Sequence, residues 1–127
     1  MAPRVLIIDD EILVNRFLET RLQNENIEVE TAHDGQSAIA LADTNKYDLI
    51  LTDLMIPNIA GHELIMRIQQ SRLNESTPIF VLSSLSSDEL IVEILAIGVK
   101  DYIVKPFSIN VLIAKIKQQL EQDQNAA

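Results

Sequence analysis

The chain has 127 residues, of which 47% are hydrophobic and 23% charged, values typical of one globular domain. It contains no cysteine, which excludes disulfides, thiolate metal sites and thiol nucleophiles. Ten Lys and Arg against 19 Asp and Glu give a net charge of −9, which argues against direct nucleic-acid binding. Because the sequence shows neither a signal-peptide pattern nor an apolar run of about 18 residues, we expect neither secretion nor a membrane partner.

Short β-branched runs alternate with helical patterns along the chain. Strands alternating with helices predict parallel pairing with helices on both faces of the sheet. The expected fold is therefore α/β with five strands. One run alternates apolar and polar residues and suits an edge strand, whereas the others are apolar throughout and suit a covered sheet. The five predicted strands are Val5–Ile8, Ile27–Thr31 (the edge strand), Leu49–Thr52, Ile79–Leu82 and Tyr102–Val104.

Capping residues mark the expected helix ends. Ser87 is a predicted N-cap for the fourth helix, Gly98 its stop, and Ser108 the cap of the fifth. The last apolar anchor is Leu120. We therefore expect one domain over residues 1–127, with a core from about 4 to 120 and a frayed tail over 121–127.

Chemically active side chains follow four of the predicted strands. Ligands of open α/β sheets bind at the carboxyl ends of strands. Crowded carboxylates require a cation, and an oxygen-only ligand set with room for water favours Mg²⁺. A metal ion, a lysine and a hydroxyl around one aspartate resemble the equipment of phosphoryl transfer, with the aspartate as nucleophile. The residues are Asp9, Asp10 and Glu11, then Asp53, then Ser83, then Lys105.

These motifs resemble the receiver domains of bacterial two-component response regulators, the CheY-like family. The resemblance covers residues 4 to about 120. It implies a flavodoxin-like (βα)5 fold with strand order 2-1-3-4-5. The segments that carry it are Val5–Glu11, Asp53–Pro57 with Gly61, Ser83, Gly98 with Asp101 and Tyr102, and Lys105–Phe107.

The resemblance implies how the acidic residues act. Asp53 would be the phosphoacceptor, charged by a phosphohistidine on a sensor histidine kinase or phosphotransfer protein. Asp10 would be the main side-chain ligand of Mg²⁺. Asp53 and the backbone carbonyl of Met55 would complete the protein ligands, with Asp9 acting through water.

The resemblance also implies a phosphoryl clamp and a switch. Lys105 and the Ser83 hydroxyl would contact the phosphoryl group, and Ser83 and Tyr102 would move together on phosphorylation. The resemblance predicts a cis Lys105–Pro106 bond. It also predicts a cytoplasmic protein. Such a domain assists its own phosphorylation and dephosphorylation without being a turnover enzyme.

Other functions fit the sequence less well. A phosphatase with a D-x-D motif would need Asp where Met55 stands. A flavodoxin-like cofactor carrier would need a phosphate loop where the acidic residues follow the first strand. A receiver-like interaction module that is never phosphorylated remains the alternative. His33 and His62 lack partners at ligand spacing, and we expect surface or capping roles for them.

The fourth helix is apolar nearly all round, over Leu90–Ile97. We expect Val92, Leu95 and Ile97 to face inward, leaving an apolar patch beside the fifth strand and fifth helix. Such patches mark interaction sites, here a homodimer or partner-docking face modulated by phosphorylation. Receivers of the OmpR group dimerise there through charged residues. The interface candidates are Leu90, Ile91, Ile94, Asp101, Ile109, Val111 and Lys115.

Overall fold

The computed structural model describes residues 2–125, with side chains through residue 122. Five strands form a parallel sheet in the order β2-β1-β3-β6-β7, while β4 and β5 pair as a small antiparallel hairpin. The predicted order 2-1-3-4-5 is confirmed, because β6 and β7 are the fourth and fifth strands of the sheet. The elements are β1 (Arg4–Ile8), α1 (Ile12–Gln23), β2 (Glu28–Ala32), α2 (Gly35–Thr44), β3 (Leu49–Thr52), β4 (Met55–Ile56), β5 (Ile59–Ala60), α3 (Gly61–Gln69), β6 (Ile79–Ser83), α4 (Asp88–Ile97), β7 (Asp101–Val104) and α5 (Ile109–Asn125).

Helices cover both faces of the sheet, so the central strands are buried throughout. Side chains alternate between the two faces of a strand. Leu6 and Ile8 of β1 therefore join a core with α2, α3 and α4, whereas Val5 and Ile7 join a second core with α1 and α5. This burial explains why β1, β3 and β6 read as continuous apolar runs. The strand β2 lies at the sheet edge, as its alternating pattern predicted.

The predicted caps hold the helix ends. The Ser87 hydroxyl accepts a hydrogen bond from the Leu90 amide, and the Ser108 hydroxyl accepts one from Val111. Gly98 ends α4 with φ of 115°, a left-handed conformation that favours glycine. The helix α5 continues to Asn125. Fraying of 121–127 stays a prediction, and residues 126 and 127 lie outside the described residues.

The expected orientation of α4 is wrong except at Ile97, which packs against the core as predicted. Ile94, an interface candidate, is only 2% exposed, and Leu90 and Ile97 pack against the core beside it. Val92 and Leu95, expected inside, are 66% and 42% exposed. Residues 90, 94 and 97 form one helical stripe, but the opposite stripe is also apolar, so hydrophobicity alone cannot select the buried one.

The expected patch on α5 is also smaller than predicted. Val111 is exposed, but Ile109 is half-buried and packs against the core beside α1. Asp101 and Lys115 form an ion pair of 2.8 Å across β7 and α5. Among residues 2–125, no helix is long and apolar enough to cross a membrane.

Candidate functional site

Sheet hydrogen bonding carries the candidate residues to one edge. The Asp53 amide donates to the Ile8 carbonyl at 2.9 Å, and the Lys105 amide donates to the Ser83 carbonyl at 2.9 Å. These bonds extend the ladders one residue beyond the strands. The main chain is therefore fixed at Asp9, Asp53 and Lys105. The Lys105–Pro106 bond is cis, as predicted.

The ammonium of Lys105 joins the two buried carboxylates. Its Nζ lies 2.8 Å from Asp9 Oδ2 and 3.0 Å from Asp53 Oδ2. The three side chains are only 14%, 5% and 4% exposed. Burial opposes the charge of Lys105, but its hydrogen bonds and attraction to Asp9 and Asp53 outweigh that cost. Together they hold the pKa of Lys105 above its usual range, so the residue is a cation at neutral pH.

Three carboxylates meet around this ammonium. Oxygen atoms of Asp9, Glu11 and Asp53 lie within 4.8 Å of one another. The Glu11 amide donates to Asp9 Oδ1 at 2.9 Å, and the Met55 amide donates to Asp53 Oδ1 at 3.0 Å. An acidic, all-oxygen donor set of this kind fits a hard divalent cation.

Asp10 lies outside this group. Its side chain is exposed, whereas those of Asp9 and Asp53 are buried. The chain bends at Asp10 between β1 and α1, and the Asp10 carboxylate is not among the oxygens that lie within 4.8 Å of one another. Glu11, which follows the acidic pair and directly precedes α1, belongs to the cluster.

Ser83 and Tyr102 meet through a residue that the sequence did not single out. The fully buried Ser83 accepts a hydrogen bond from the Leu85 amide at 3.2 Å. The Tyr102 hydroxyl donates to the Leu85 carbonyl at 2.5 Å. Burial raises the pKa of Tyr102, and the charge of Asp53 adds to that rise. Leu85 thus connects the two predicted switch residues by its backbone alone.

Two side chains reach the acidic loop from outside the predicted set. Asn15 Nδ2 lies 2.6 Å from the Asp9 carbonyl oxygen, and His33 Nδ1 lies 3.1 Å from the same atom. Although His33 is exposed as expected, it therefore contacts the site. Its position directly after β2, the neighbour of β1, was the available signal. His62 is exposed.

The chain matches one known protein family over most of its length. Residues 5–117 match the response regulator receiver domain family. The response regulator ArlR of Staphylococcus saprophyticus is 42% identical over 119 residues, which are 94% of this chain and 53% of that protein. The chain thus spans about half the length of the curated relatives it matches.

Two solved structures show the same fold. The receiver domain of the Francisella response regulator 1452 superposes with a TM-score of 0.87 and 36% identity, covering 95% of this chain and 98% of that one. A CheY-like receiver domain protein from Methanospirillum hungatei gives a TM-score of 0.92 with 27% identity and covers 100% of both chains.

Replacing Lys105 tests how much its buried ion pairs with Asp9 and Asp53, here called the buried bridge, stabilise the fold. In Lys105→Met, two buried carboxylates lose their cation, so we expect the free energy of unfolding to fall by about 3 kcal/mol at pH 7. Urea unfolding followed by circular dichroism, with a chelator present, measures the loss. The control Lys115→Met breaks the more exposed pair with Asp101 and should cost less than about 1 kcal/mol.

The contribution of Lys105 to the free energy of unfolding should change with pH in one direction. Because folding raises the pKa of Lys105, its contribution is complete below the unfolded value of about 10.4 and is lost as pH rises through the higher folded value. The difference between wild type and Lys105→Met should therefore be constant from about pH 7 to 10 and shrink above that range. Equal losses in the Lys105 and Lys115 variants would contradict the buried bridge.

Proposed function

Because the chain belongs to the response regulator receiver domain family, we propose that it is a cytoplasmic switch controlled by phosphorylation of Asp53. The phosphoryl group would come from a phosphohistidine on a sensor histidine kinase or a phosphotransfer protein. The observation that carries the proposal is the Lys105 ammonium within 3.0 Å of both Asp9 and Asp53. This contact supports the proposal, because phosphoryl transfer to Asp53 would require a positive charge beside the attacking carboxylate.

In the transfer step, an Asp53 oxygen forms a bond to phosphorus as the bond between phosphorus and the donor imidazole nitrogen breaks. Lys105 is placed to pair with a phosphoryl oxygen, because its Nζ already contacts Asp53 Oδ2. The Ser83 hydroxyl supplies a second donor from the neighbouring strand. The resulting acyl phosphate is open to hydrolysis, so the domain participates in its own dephosphorylation without acting as a turnover enzyme.

Mg²⁺ is the cation that we propose for the acidic cluster. Asp53, Asp10 and the Met55 carbonyl would hold it, with Asp9 acting through water. The observed cluster adds Glu11 as a further oxygen donor. When bound, the ion neutralises charge on the transferring phosphoryl oxygens.

A route from Asp53 to the surface runs through Leu85. If the Ser83 hydroxyl turns to donate to a phosphoryl oxygen, the Leu85 amide loses its present acceptor. The loop that begins at Leu85 would then shift. The Tyr102 hydroxyl, which donates to the Leu85 carbonyl, would lose its anchor as well. Phosphorylation would thereby change the surface beside β7.

The phosphodonor protein would dock beside the site. Leu13 and Phe17 of α1 are exposed, and an apolar groove separates them from Pro106 and Phe107. Lys105 contributes to the same groove. An apolar helix face seated there would bring a histidine close to Asp53, so we assign this groove to the donor protein.

The labelling experiment tests the phosphoacceptor. Incubation with acetyl phosphate and Mg²⁺ should raise the intact mass by one phosphoryl group, and Asp53→Asn or a chelator should abolish the rise. The matched control Asp43→Asn removes a carboxylate that pairs with Arg67 on another surface and should label like wild type.

Two outcomes would count against the proposal. Labelling of Asp53→Asn at the wild-type level would mean another acceptor. A wild-type protein that neither labels nor binds beryllofluoride would favour the alternative, an interaction module that is never phosphorylated.

We further propose that a second copy of the chain binds the α4–β7–α5 face, defined by Val92, Leu95, Asp101, Val111 and Lys115. Its three apolar members are exposed, and its two charged members already pair. Asp101 and Lys115 can also exchange partners between copies, which combines apolar contact with charge complementarity. Because Tyr102 lies on β7, phosphorylation would alter the affinity of this face.

Sedimentation velocity tests the self-association. We expect beryllofluoride with Mg²⁺ to shift wild type toward dimer, and Val92→Lys to remain monomeric because a buried lysine would be unpaired. The control Met66→Lys changes an exposed apolar residue of α3 and should behave like wild type. A wild-type monomer under all conditions would exclude the dimer.

A further inference from the structure

We propose that Asn15, together with His33, is a positioning residue that fixes the main chain of Asp9 and thereby sets the affinity of the acidic cluster for a divalent cation. The inference rests on the proposed function, because it concerns the same cluster. It assigns a role to two residues that touch neither the phosphoacceptor nor Lys105.

The contacts lie where the β1–β2 ladder ends. The Asp9 amide donates to the Ala32 carbonyl at 3.0 Å, the last bond between these strands. His33, the residue that follows β2, belongs to the loop that leads to α2. No backbone amide of that loop donates to the Asp9 carbonyl. Asn15 Nδ2 donates to that carbonyl instead, at 2.6 Å, from the second turn of α1. A side chain thus completes the hydrogen bonding of a residue in the site.

The orientation of the Asn15 amide follows from chemistry. A carbonyl oxygen only accepts, so the nitrogen of Asn15 must face Asp9. Asn15 Nδ2 also lies 2.9 Å from His33 Nδ1. Its two protons serve both acceptors when the imidazole carries its own proton on Nε2. His33 then holds the amide in this orientation from the solvent side.

A purely structural role does not explain an asparagine here. Asn15 is 2% exposed, and its Oδ1 has no hydrogen-bond partner among the described residues. An unsatisfied buried oxygen costs about 1–3 kcal/mol, which an apolar side chain of the same size would avoid. What the amide provides is the bond to the Asp9 carbonyl. The carboxylate of the same residue accepts from the Glu11 amide and pairs with Lys105.

The affinity of the acidic cluster for Mg²⁺ should therefore depend on Asn15, although Asn15 is not a ligand of the ion. Groups that orient metal ligands typically contribute about 10–100-fold in affinity. In Asn15→Leu, a near-isosteric change, the Asp9 carbonyl loses the Asn15 donor and can accept from His33 only if the imidazole proton moves to Nδ1. Isothermal titration calorimetry with MgCl₂ should then show about 10-fold weaker binding than wild type.

A control separates positioning from loss of stability. Ser71 is a buried side chain whose hydroxyl donates to the Ala42 carbonyl at 2.9 Å, at the end of α2 and away from the carboxyl ends of the strands. Ser71→Ala removes a comparable bond there. It should lower the free energy of unfolding by about 1 kcal/mol without changing Mg²⁺ affinity.

A double-mutant cycle tests the pairing with His33. Because His33 acts by holding the Asn15 amide that donates to the Asp9 carbonyl, the loss of affinity in Asn15→Leu with His33→Ala should be smaller than the product of the single losses. Wild-type Mg²⁺ affinity in a folded Asn15→Leu protein would overturn the inference. An equal loss in Ser71→Ala would overturn it too. Failure of wild type itself to bind Mg²⁺ would instead refute the proposed function.

Discussion

The site depends on one ammonium group held between two buried carboxylates. Asp9 and Asp53 follow adjacent strands, so their carboxylates lie close together. Both burial and the nearby like charge disfavour the ionised form of each. Lys105, from the far edge of the sheet, supplies the charge that makes this arrangement tolerable. Removing such a cation is costly because the remaining charges stay buried. The parallel strand order is what allows three distant segments to share this contact.

The same contact gives the protein two possible arrangements. Without a phosphoryl group, Lys105 binds both carboxylates. In the phosphorylated state that we propose, the phosphoryl oxygens would compete for Lys105, and a cation in the acidic cluster would replace Lys105 at Asp9. Ser83 would move toward the phosphoryl group, and the Leu85 backbone would carry the displacement to Tyr102. A change of one covalent bond can therefore reach a surface on another part of the sheet.

The strand ends could be predicted from sequence, because each site residue follows a short apolar run and parallel strands end at a common edge. The meeting of Asp53 and Lys105 could be predicted in this way. The faces of α4 were not, because Leu90, Ile94 and Ile97 share their apolar character with Val92 and Leu95. Hydrophobic patterning selects a buried stripe only where the opposite stripe is polar.

Contacts that involve backbone groups could not be predicted from the sequence either. Leu85 acts through its amide and carbonyl, and Asn15 and His33 act on the carbonyl of Asp9. In each contact at least one partner is a backbone group, which every residue supplies, so the sequence does not indicate which backbone group is contacted. The position of Glu11 beside Asp9 and Asp53 likewise depends on how the chain turns after β1.

A crystal structure with Mg²⁺ and beryllofluoride would show directly whether Lys105 changes partners as we propose. We expect beryllofluoride on an Asp53 oxygen, with Lys105 Nζ and Ser83 Oγ each within about 3 Å of its fluorines. Lys105 should have left Asp9, with Mg²⁺ among the carboxylates. Beryllofluoride bound elsewhere, or Lys105 still joining Asp9 to Asp53 beside an occupied site, would contradict it.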